Sequence, residues 1–453
     1  MALDKARLQN GFKILKCEKH FHDHDESWII LAGRGTGYWI DHDGRREEFL
    51  LETGDIWMIP AGFEHGSDGF AETGSNSADF TITIGWGTMP IGCHKPGHYY
   101  VEKEGYIPRL VLEKMPTERY RKPANLPAKR AAVVFTAKGE TALQQEEMPV
   151  AGRGQVLCRM KFSGLTNGTE RNVLMGGNYG GKWPNRIGYQ NVGEVVAIGA
   201  GVKDYAVGDI IFSGSSYGHV GYFAFGATSE VGIDPYVVRL PPAFPLPAGA
   251  LLGMASVALH DVRRANVRLG EKVLVVGAGG IGLFTAQAAK AAGARVTICD
   301  VDDSRLAMAS SLGVDHSINA QDDSGWKAIK DQGPYDVVIE DSGAPVLDRI
   351  VGAKSCAEGV IRHRGKLVLV AGRQRVDYSF NAGQGTEIEI LQGSHFEKSD
   401  IEEVVRLALE GRIQFKPLVK EIVPYGQAVG VYDRLRDTPG SMLGVVFDWS
   451  THP

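Results

Sequence analysis

The sequence predicts a multi-domain fold: an all-β barrel first, then a second, smaller β-barrel combined with an α/β doubly wound parallel sheet. Three observations carry this prediction. The chain has 453 residues, beyond the size at which one hydrophobic core usually keeps growing. Residues 11–86 are short alternating or apolar runs punctuated by Gly and Asp, such as SWIILAG, GTGYWIDHDG and DFTITIGWG. From Lys272 onward, apolar runs such as KVLVV and YDVVIE alternate with Ala-rich amphipathic stretches, the pattern of buried parallel strands covered by helices.

Composition narrows the class of function. Hydrophobic residues make up 43% and charged residues 23% of the chain, and the formal net charge is -5. These are soluble-globular values with no electrostatic footprint for nucleic acid or an anionic membrane, so a small-molecule substrate is expected. The five cysteines, Cys17, Cys93, Cys158, Cys299 and Cys356, are scattered and form no C-x-x-C pair. Disulfides and thiolate zinc sites are therefore not expected, and a reducing cytoplasm is. No apolar leader or long apolar run marks secretion or membrane insertion.

In order along the chain, residues 1–95 form the first barrel. Residues 96–127, with scattered Pro, Lys and Arg, read as an exposed linker. Residues 128–247 are β-rich and end in a Pro-rich hinge at Leu240 to Pro247. Residues 248–393 are the parallel α/β unit. Residues 394–453 supply two helices and a last strand that complete the second barrel.

Within the α/β unit, Gly277-Ala278-Gly279-Gly280-Ile281-Gly282 follows an apolar strand and opens an Ala-rich helix. That context turns G-x-G-x-x-G into a dinucleotide site: Gly277 for the turn, Gly279 for close approach of a pyrophosphate, Gly282 for helix packing. The amides of Gly280 and Ile281 open the helix whose N-terminus favours phosphate. Asp300 closes the next strand, where a carboxylate accepts the adenosine ribose hydroxyls and repels a 2′-phosphate, so NAD is expected over NADP. Arg305 is a candidate to lie over the adenine.

Residues 130–450 resemble the medium-chain dehydrogenase/reductase family. The resemblance is carried by GEVVAIGAGVKDYAVGD at Gly193 to Asp209, ALLGMASVALH at Ala250 to His260, and the glycine fingerprint. It implies a GroES-like barrel, a Rossmann domain inserted before the C-terminal tail, and a two-fold dimer or higher homo-oligomer. Zinc-dependent members hold the alcohol oxygen on a metal bound by a Cys after the first barrel strand, a His-Glu pair, and a further Cys or Glu. The corresponding segments here read Ser163-Gly164-Leu165-Thr166-Asn167-Gly168-Thr169-Glu170, Gly188-Tyr189-Gln190 and Met254, a poor donor set for zinc. A side chain then has to handle the alcohol proton. Thr169, near the position of the family's proton-relay hydroxyl, Tyr189 in place of the His ligand, and His260 are the catalytic candidates, with Glu170 and Lys182 near the cleft.

In the first barrel, His20-Phe21-His22 puts two imidazoles on one strand face, Glu26 follows, and Gly54 to His65 contributes a turn Gly, a Pro and a further His. These stretches resemble the two motifs of the cupin family over residues 11–90. The resemblance implies a metal held by His20, His22, Glu26 and His65, a set suited to Fe, Mn, Ni, Cu or Zn. The Asn that often closes the second motif is Gly69 here, and the related sugar-sensing cupins of transcription regulators often bind ligands without metal. Three functions follow as expectations: an NAD-dependent oxidoreductase of a secondary alcohol on a polyhydroxylated small molecule with the cupin serving a related intermediate, a zinc-free quinone or enone reductase, and a metabolite-sensing binding protein.

Overall fold

A computed structural model describes residues 17–22, 26–32, 34–41, 45–59, 63–69, 81–86, 97–100, 106–108 and 126–452. The chain divides into two compact units, Met1–Asn125 and Leu126–Pro453.

Every described element of the first unit is a strand. In chain order these are β1 Cys17–His22, β2 Glu26–Ala32, β3 Arg34–Ile40, β4 Arg46–Glu52, β5 Ile56–Ile59, β6 Glu64–Gly69, β7 Thr81–Trp86, β8 Gly97–Tyr100 and β9 Tyr106–Pro108. They form a six-stranded sheet in the order β4-β3-β6-β1-β8-β9 and a three-stranded sheet in the order β5-β2-β7. Alternation along β2 and β5 buries Trp28, Ile30, Trp57 and Ile59 with Leu51 from β4. Trp28 and Trp57 meet edge to face at 5.2 Å, a favoured ring geometry. Strands β8 and β9 fall within residues 96–127, which the sequence reads as a linker. His20, Phe21 and His22 of β1 pair with Tyr100, Tyr99 and His98 of β8, the aromatic run supplying β propensity that the scattered prolines and basic residues obscured.

The second unit begins with the hairpin β10 Lys129–Ala137 and β11 Glu140–Glu147. A barrel sheet follows, built from β12 Gln155–Gly164, β13 Asn191–Ile198, β14 Ile210–Ser213, β15 Tyr222–Gly226 and β16 Val237–Arg239. Two strands from the far end of the chain, β23 Glu421–Pro424 and β24 Val445–Asp448, complete it, with β24 antiparallel to β12. Between them lies a six-stranded, wholly parallel sheet in the order β19-β18-β17-β20-β21-β22, where β17 is Lys272–Val276, β18 Arg295–Asp300, β19 His316–Asn319, β20 Tyr335–Glu340, β21 Ile361–Leu369 and β22 Glu389–Gln392. The order reverses between β17 and β20, and in such sheets a crevice at the strands' carboxyl ends forms the ligand site. The helix Leu252–Arg264 carries the chain from barrel to sheet; its buried face packs into the same core as the helix Gly280–Ala291 and the helix Lys398–Leu409.

Two carboxyl groups are buried in this second unit without visible recompense. Asp261 is 2% exposed and its Oδ1 has no hydrogen-bond partner, and both carboxyl oxygens of Asp341 are shut off from solvent and unpartnered. Desolvation pushes Asp261 up to about 7. Desolvation, reinforced by the Asp261 charge, pushes Asp341 up to about 8. Folded-state values raised this way stabilise the protonated forms: their contribution is full below the ordinary carboxyl range near pH 4 and is lost as pH climbs through about 7 and about 8. The variant Asp341→Asn is therefore expected to gain melting temperature relative to wild type as pH rises from 6 to 9. A difference that stays flat across that range, measured by thermal unfolding, would remove Asp341 as a source of alkaline instability.

Candidate active site

The glycine fingerprint folds as a cradle. Gly277 has φ 105°, in the region open to glycine. A Cβ on Gly282 would sit 1.8 Å from the Gly277 carbonyl, whereas nothing lies within 4 Å of a Cβ at Gly279. The helix Gly280–Ala291, which Ile281 helps to open, has no side-chain cap, so its first amides are available to a phosphate. Asp300 lies at the rim: Oδ2 accepts from Ala278 N at 2.6 Å and Oδ1 from Val301 N and Asp302 N at 2.8 and 3.0 Å. Oδ2, with one donor, keeps a further lone pair for a ribose hydroxyl. These features fit a dinucleotide. Arg305 is turned toward the C-terminal segment, donating to Gly440 O at 2.6 Å and pairing with Asp302 at 3.7 Å.

The segments that replace a zinc ligand set converge on one another. Gln190, fully buried, donates from Nε2 to Thr166 Oγ1 at 3.0 Å and to Gly164 O at 3.3 Å, and its Oε1 accepts from Met254 N at 2.9 Å. Tyr189 is buried, 7% exposed. Desolvation pushes the phenol up to about 12; Thr166 and Thr169 pull it down, and the nearby Glu170 charge raises it further. Of the three catalytic candidates, Thr169 and Tyr189 are coupled through this shift. Met254 Sδ lies 2.8 Å from where a Cβ on Gly280 would stand, so the cluster abuts the fingerprint itself.

Behind this cluster Glu170 is fully buried. Its Oε1 accepts from Thr166 N at 2.7 Å, and its Oε2 accepts from Tyr432 OH at 2.5 Å and from His219 Nε2 at 3.1 Å. Ser163 Oγ accepts from Trp449 Nε1 at 2.9 Å and contacts His219 Nδ1 at 2.7 Å. A Ser-His-Glu series suggests a nucleophile, but Ser163, His219 and Glu170 are all 0% exposed, with no access for a substrate.

His260 lies on the helix Leu252–Arg264. Its Nδ1 is held by Asp400 Oδ2 at 2.8 Å, and Arg263 holds the other Asp400 oxygen at 2.6 Å. Lys182 is exposed. Two groups that sequence reasoning missed complete the wall. His395, its pKa lowered chiefly by burial, packs edge-on to Tyr189 at 5.2 Å and stacks on Phe396 at 3.9 Å. Tyr179, in the loop GGNYGG, places its hydroxyl 2.2 Å from where a Cβ on Gly372 would stand, after β21. A side chain at 372 would displace that tyrosine. The adjacent glycines were the only local signal; the Tyr179–Gly372 approach joins segments far apart in sequence.

In the first unit, His20 of β1 is the register partner of His65 of β6. His65 is 1% exposed and its Nδ1 contacts Phe63 O at 3.0 Å. The side chains of His20, His22 and Glu26 lie outside the described residues. Among the described residues no group of three or more His, Cys, Asp or Glu is disposed to hold a metal ion, and no helix is long and apolar enough to cross a membrane.

Residues 152–241 match the alcohol dehydrogenase GroES-like domain and residues 280–410 match the zinc-binding dehydrogenase domain. The chain is 26% identical over 332 residues to sorbitol dehydrogenase 2 of Saccharomyces cerevisiae, covering 67% of this chain and 93% of that protein. It is 32% identical over 236 residues to L-threonine 3-dehydrogenase of Aliivibrio fischeri, covering 45% of this chain and 67% of that one. A short chain alcohol dehydrogenase from Escherichia coli CFT073, solved with NADH, superposes with a TM-score of 0.61 at 18% identity, over 71% of this chain and all of that one. The zinc that the matched domain's description implies does not fit the residues present. Thr166, Tyr189, Gln190 and Met254 offer no thiolate, imidazole or carboxylate, and the polar atoms of Gln190 already satisfy one another's neighbours. Removing the Glu170 carboxylate, by contrast, orphans three donors at once. Glu170→Ala is expected to cost roughly 3–5 kcal/mol of unfolding free energy, measured by denaturant titration; a loss under about 1 kcal/mol would mean the carboxylate is not organising its neighbours.

Proposed function

The chain belongs to the zinc-type medium-chain alcohol dehydrogenase family, and on that premise we propose that it is an NAD-dependent oxidoreductase of a secondary alcohol on a polar, polyhydroxylated small molecule, with Tyr189 handling the alcohol proton in place of zinc. The observation that carries this reading is the cluster of Tyr189, Thr166 and Thr169 beside the fingerprint, with the tyrosine proton held up to about 12. Gly277, Gly279, Gly282 and Asp300 would hold NAD, which would supply the hydride chemistry at the carbinol carbon. Tyr189 Oη gives its proton to the carbonyl oxygen in reduction and receives it back in oxidation, exchanging with solvent between turnovers. His395 packs edge-on against the Tyr189 ring. The similarity to sorbitol dehydrogenase, whose name specifies a polyol, supports the substrate class. Asp300, with oxygens directed at the cradle and its rim, supports NAD over NADP.

For the first unit we infer a cupin-type metal centre at His20, His22, Glu26 and His65. Its support is the β1–β6 register that pairs His20 with His65 and the contact of His65 Nδ1 with the Phe63 carbonyl. A donated Nδ1–H leaves Nε2 as the unprotonated nitrogen that a divalent metal takes.

Purified protein is expected to reduce NAD with one or more members of a polyol panel and to prefer NAD to NADP. Tyr189→Phe is expected to lower kcat on the order of 10²–10⁴-fold with NADH binding retained; an unchanged rate discards Tyr189 as the proton carrier. Asp300→Ser is expected to relax the cofactor preference. Elemental analysis is expected to find about one transition metal per chain, lost in the His20→Ala/His22→Ala variant. Metal retained by that variant would move the site elsewhere, and metal in neither would make the first unit a ligand-binding module.

A further inference from the structure

We propose that Tyr179 retains the dinucleotide: its ring reaches from the barrel to the parallel sheet, seats on Gly372, and bars the exit from the nicotinamide half of the crevice. The inference rests on the reading of the glycine cradle as an NAD site and adds to it a residue that governs how long the cofactor stays.

The tyrosine stands on a loop built to hold it out. Residues 176–181, GGNYGG, follow the helix Asn167–Leu174. Asn172 of that helix clamps the loop: its Oδ1 accepts from Tyr179 N at 2.9 Å, its Nδ2 donates to Asn178 Oδ1 at 2.7 Å, and its carbonyl accepts from Gly177 N at 2.7 Å. A Cβ on Gly177 would sit 2.6 Å from the Asn172 amide group, and one on Gly180 would sit 2.6 Å from the Val173 carbonyl oxygen, so the loop lies tight against the helix. Tyr179 remains 53% exposed; the loop, and not burial of the ring, sets where it goes. At its far end a Cβ on Gly372 would stand 2.2 Å from the Tyr179 hydroxyl oxygen and 2.6 Å from Cζ. The backbone at 372 has no positive φ and is open to any residue, so the steric demand for glycine there comes from the tyrosine.

The seat lies on the nicotinamide side of the crevice. Asp300 closes β18 and marks the adenosine side, and the cradle from Gly277 to Gly282 follows β17. A dinucleotide laid across the reversal between β17 and β20 extends its other half over the carboxyl ends of β20 and β21. Gly372 follows β21, and close approaches lead from it back to the cradle: a Cβ on Gly343 would meet the Ala371 side chain at 3.3 Å, and one on Gly277 would meet Ser342 at 3.0 Å. Glu340, fully buried, locks these loops together. It accepts from Ser342 N at 2.9 Å and Gly343 N at 2.8 Å after β20 and pairs with Arg373 after β21, while Arg373 Nε donates to Ala371 O at 3.2 Å. Both ends of the bar are thus anchored, the barrel end by Asn172 and the sheet end by Glu340. The movable part between them is the Tyr179 side chain, and motions of this kind commonly set the release step of an enzyme.

The test measures the dissociation rate of NADH from the full-length protein by stopped-flow fluorescence, with excess NAD as the displacing chase. It compares wild type with Tyr179→Ala, Tyr179→Phe, Gly372→Ala and the double variant Tyr179→Ala/Gly372→Ala. Tyr179→Ala is expected to raise the dissociation rate roughly tenfold. Tyr179→Phe keeps the ring and should stay within about threefold of wild type. Gly372→Ala displaces the ring from its seat and should reproduce the rise, and the double variant should add nothing, because both changes remove the same contact. Because the ring is half exposed, the melting temperature of Tyr179→Ala should stay within about 2 °C of wild type. Unchanged dissociation in Tyr179→Ala and Gly372→Ala alike overturns the proposal, as does a rise in Tyr179→Phe equal to that in Tyr179→Ala. Multiplying effects in the double variant also overturn it, because residue 372 would then act on the cofactor without the tyrosine. If Gly372→Ala fails to fold, the Tyr179 pair decides alone. If wild type itself binds no NADH, the dinucleotide reading fails and this inference with it; if wild type binds and the variants release no faster, only the role of Tyr179 falls.

Discussion

A buried carboxylate holds the catalytic half of this protein together. Glu170 takes hydrogen bonds from the backbone of Thr166, from His219 and from Tyr432, partners 4, 49 and 262 residues away in the chain. One carboxylate thus ties the first turn of the helix Asn167–Leu174 to the barrel loop before β15 and to the C-terminal helix Ala428–Asp437. An unpaired buried carboxylate would be intolerable; with three donors it becomes a junction, because each donor would be orphaned if its segment drifted. Thr166 and Thr169 inherit their placement from this junction, and the C-terminal tail, through Tyr432 and the pairing of β24 with β12, is part of the site's foundation.

The polar filling of the zinc position has a physical logic of its own. A divalent ion stabilises a developing alkoxide by charge and makes few demands on direction. Hydrogen bonds supply less charge but are directional, so the replacing residues must be satisfied on every side except the one that faces the substrate. Gln190 meets that condition by engaging both ends of its amide inside the protein, and Met254 contributes only its backbone, leaving the thioether against Gly280.

Much of this architecture was legible in the sequence, and what was legible was local. The cradle from Gly277 to Gly282 combines a strand, a turn and a helix start within a short stretch, and glycine at those positions has a steric reason that spacing alone reveals. Tyr189 stood out because it occupies a ligand position. What stayed hidden depends on long-range closure. Nothing near Glu170 announces that Tyr432 will cap it, and nothing near Gly372 announces Tyr179. Gln190 read as a lost ligand, and only the three-way geometry reveals what the amide does instead. The strands β8 and β9 were obscured because scattered Pro, Lys and Arg resemble a linker, while a sheet edge tolerates them. His260 drew notice as a histidine near the right segment, but Asp400, brought in by the helix Lys398–Leu409, holds its imidazole.

The charge of Glu170 bears on the direction in which the site works. Burial, the largest influence, opposes formation of a phenolate at Tyr189, and the nearby Glu170 carboxylate opposes it further, so the phenol is pushed up to about 12. The threonine hydroxyls that would welcome a phenolate soften this without reversing it. At neutral pH the phenol of Tyr189 therefore keeps its proton. A zinc site reaches the opposite state, because the cation favours alkoxide and draws the alcohol toward oxidation. On the proposed reading, a phenol beside a carboxylate offers a proton where a zinc ion would stabilise an alkoxide.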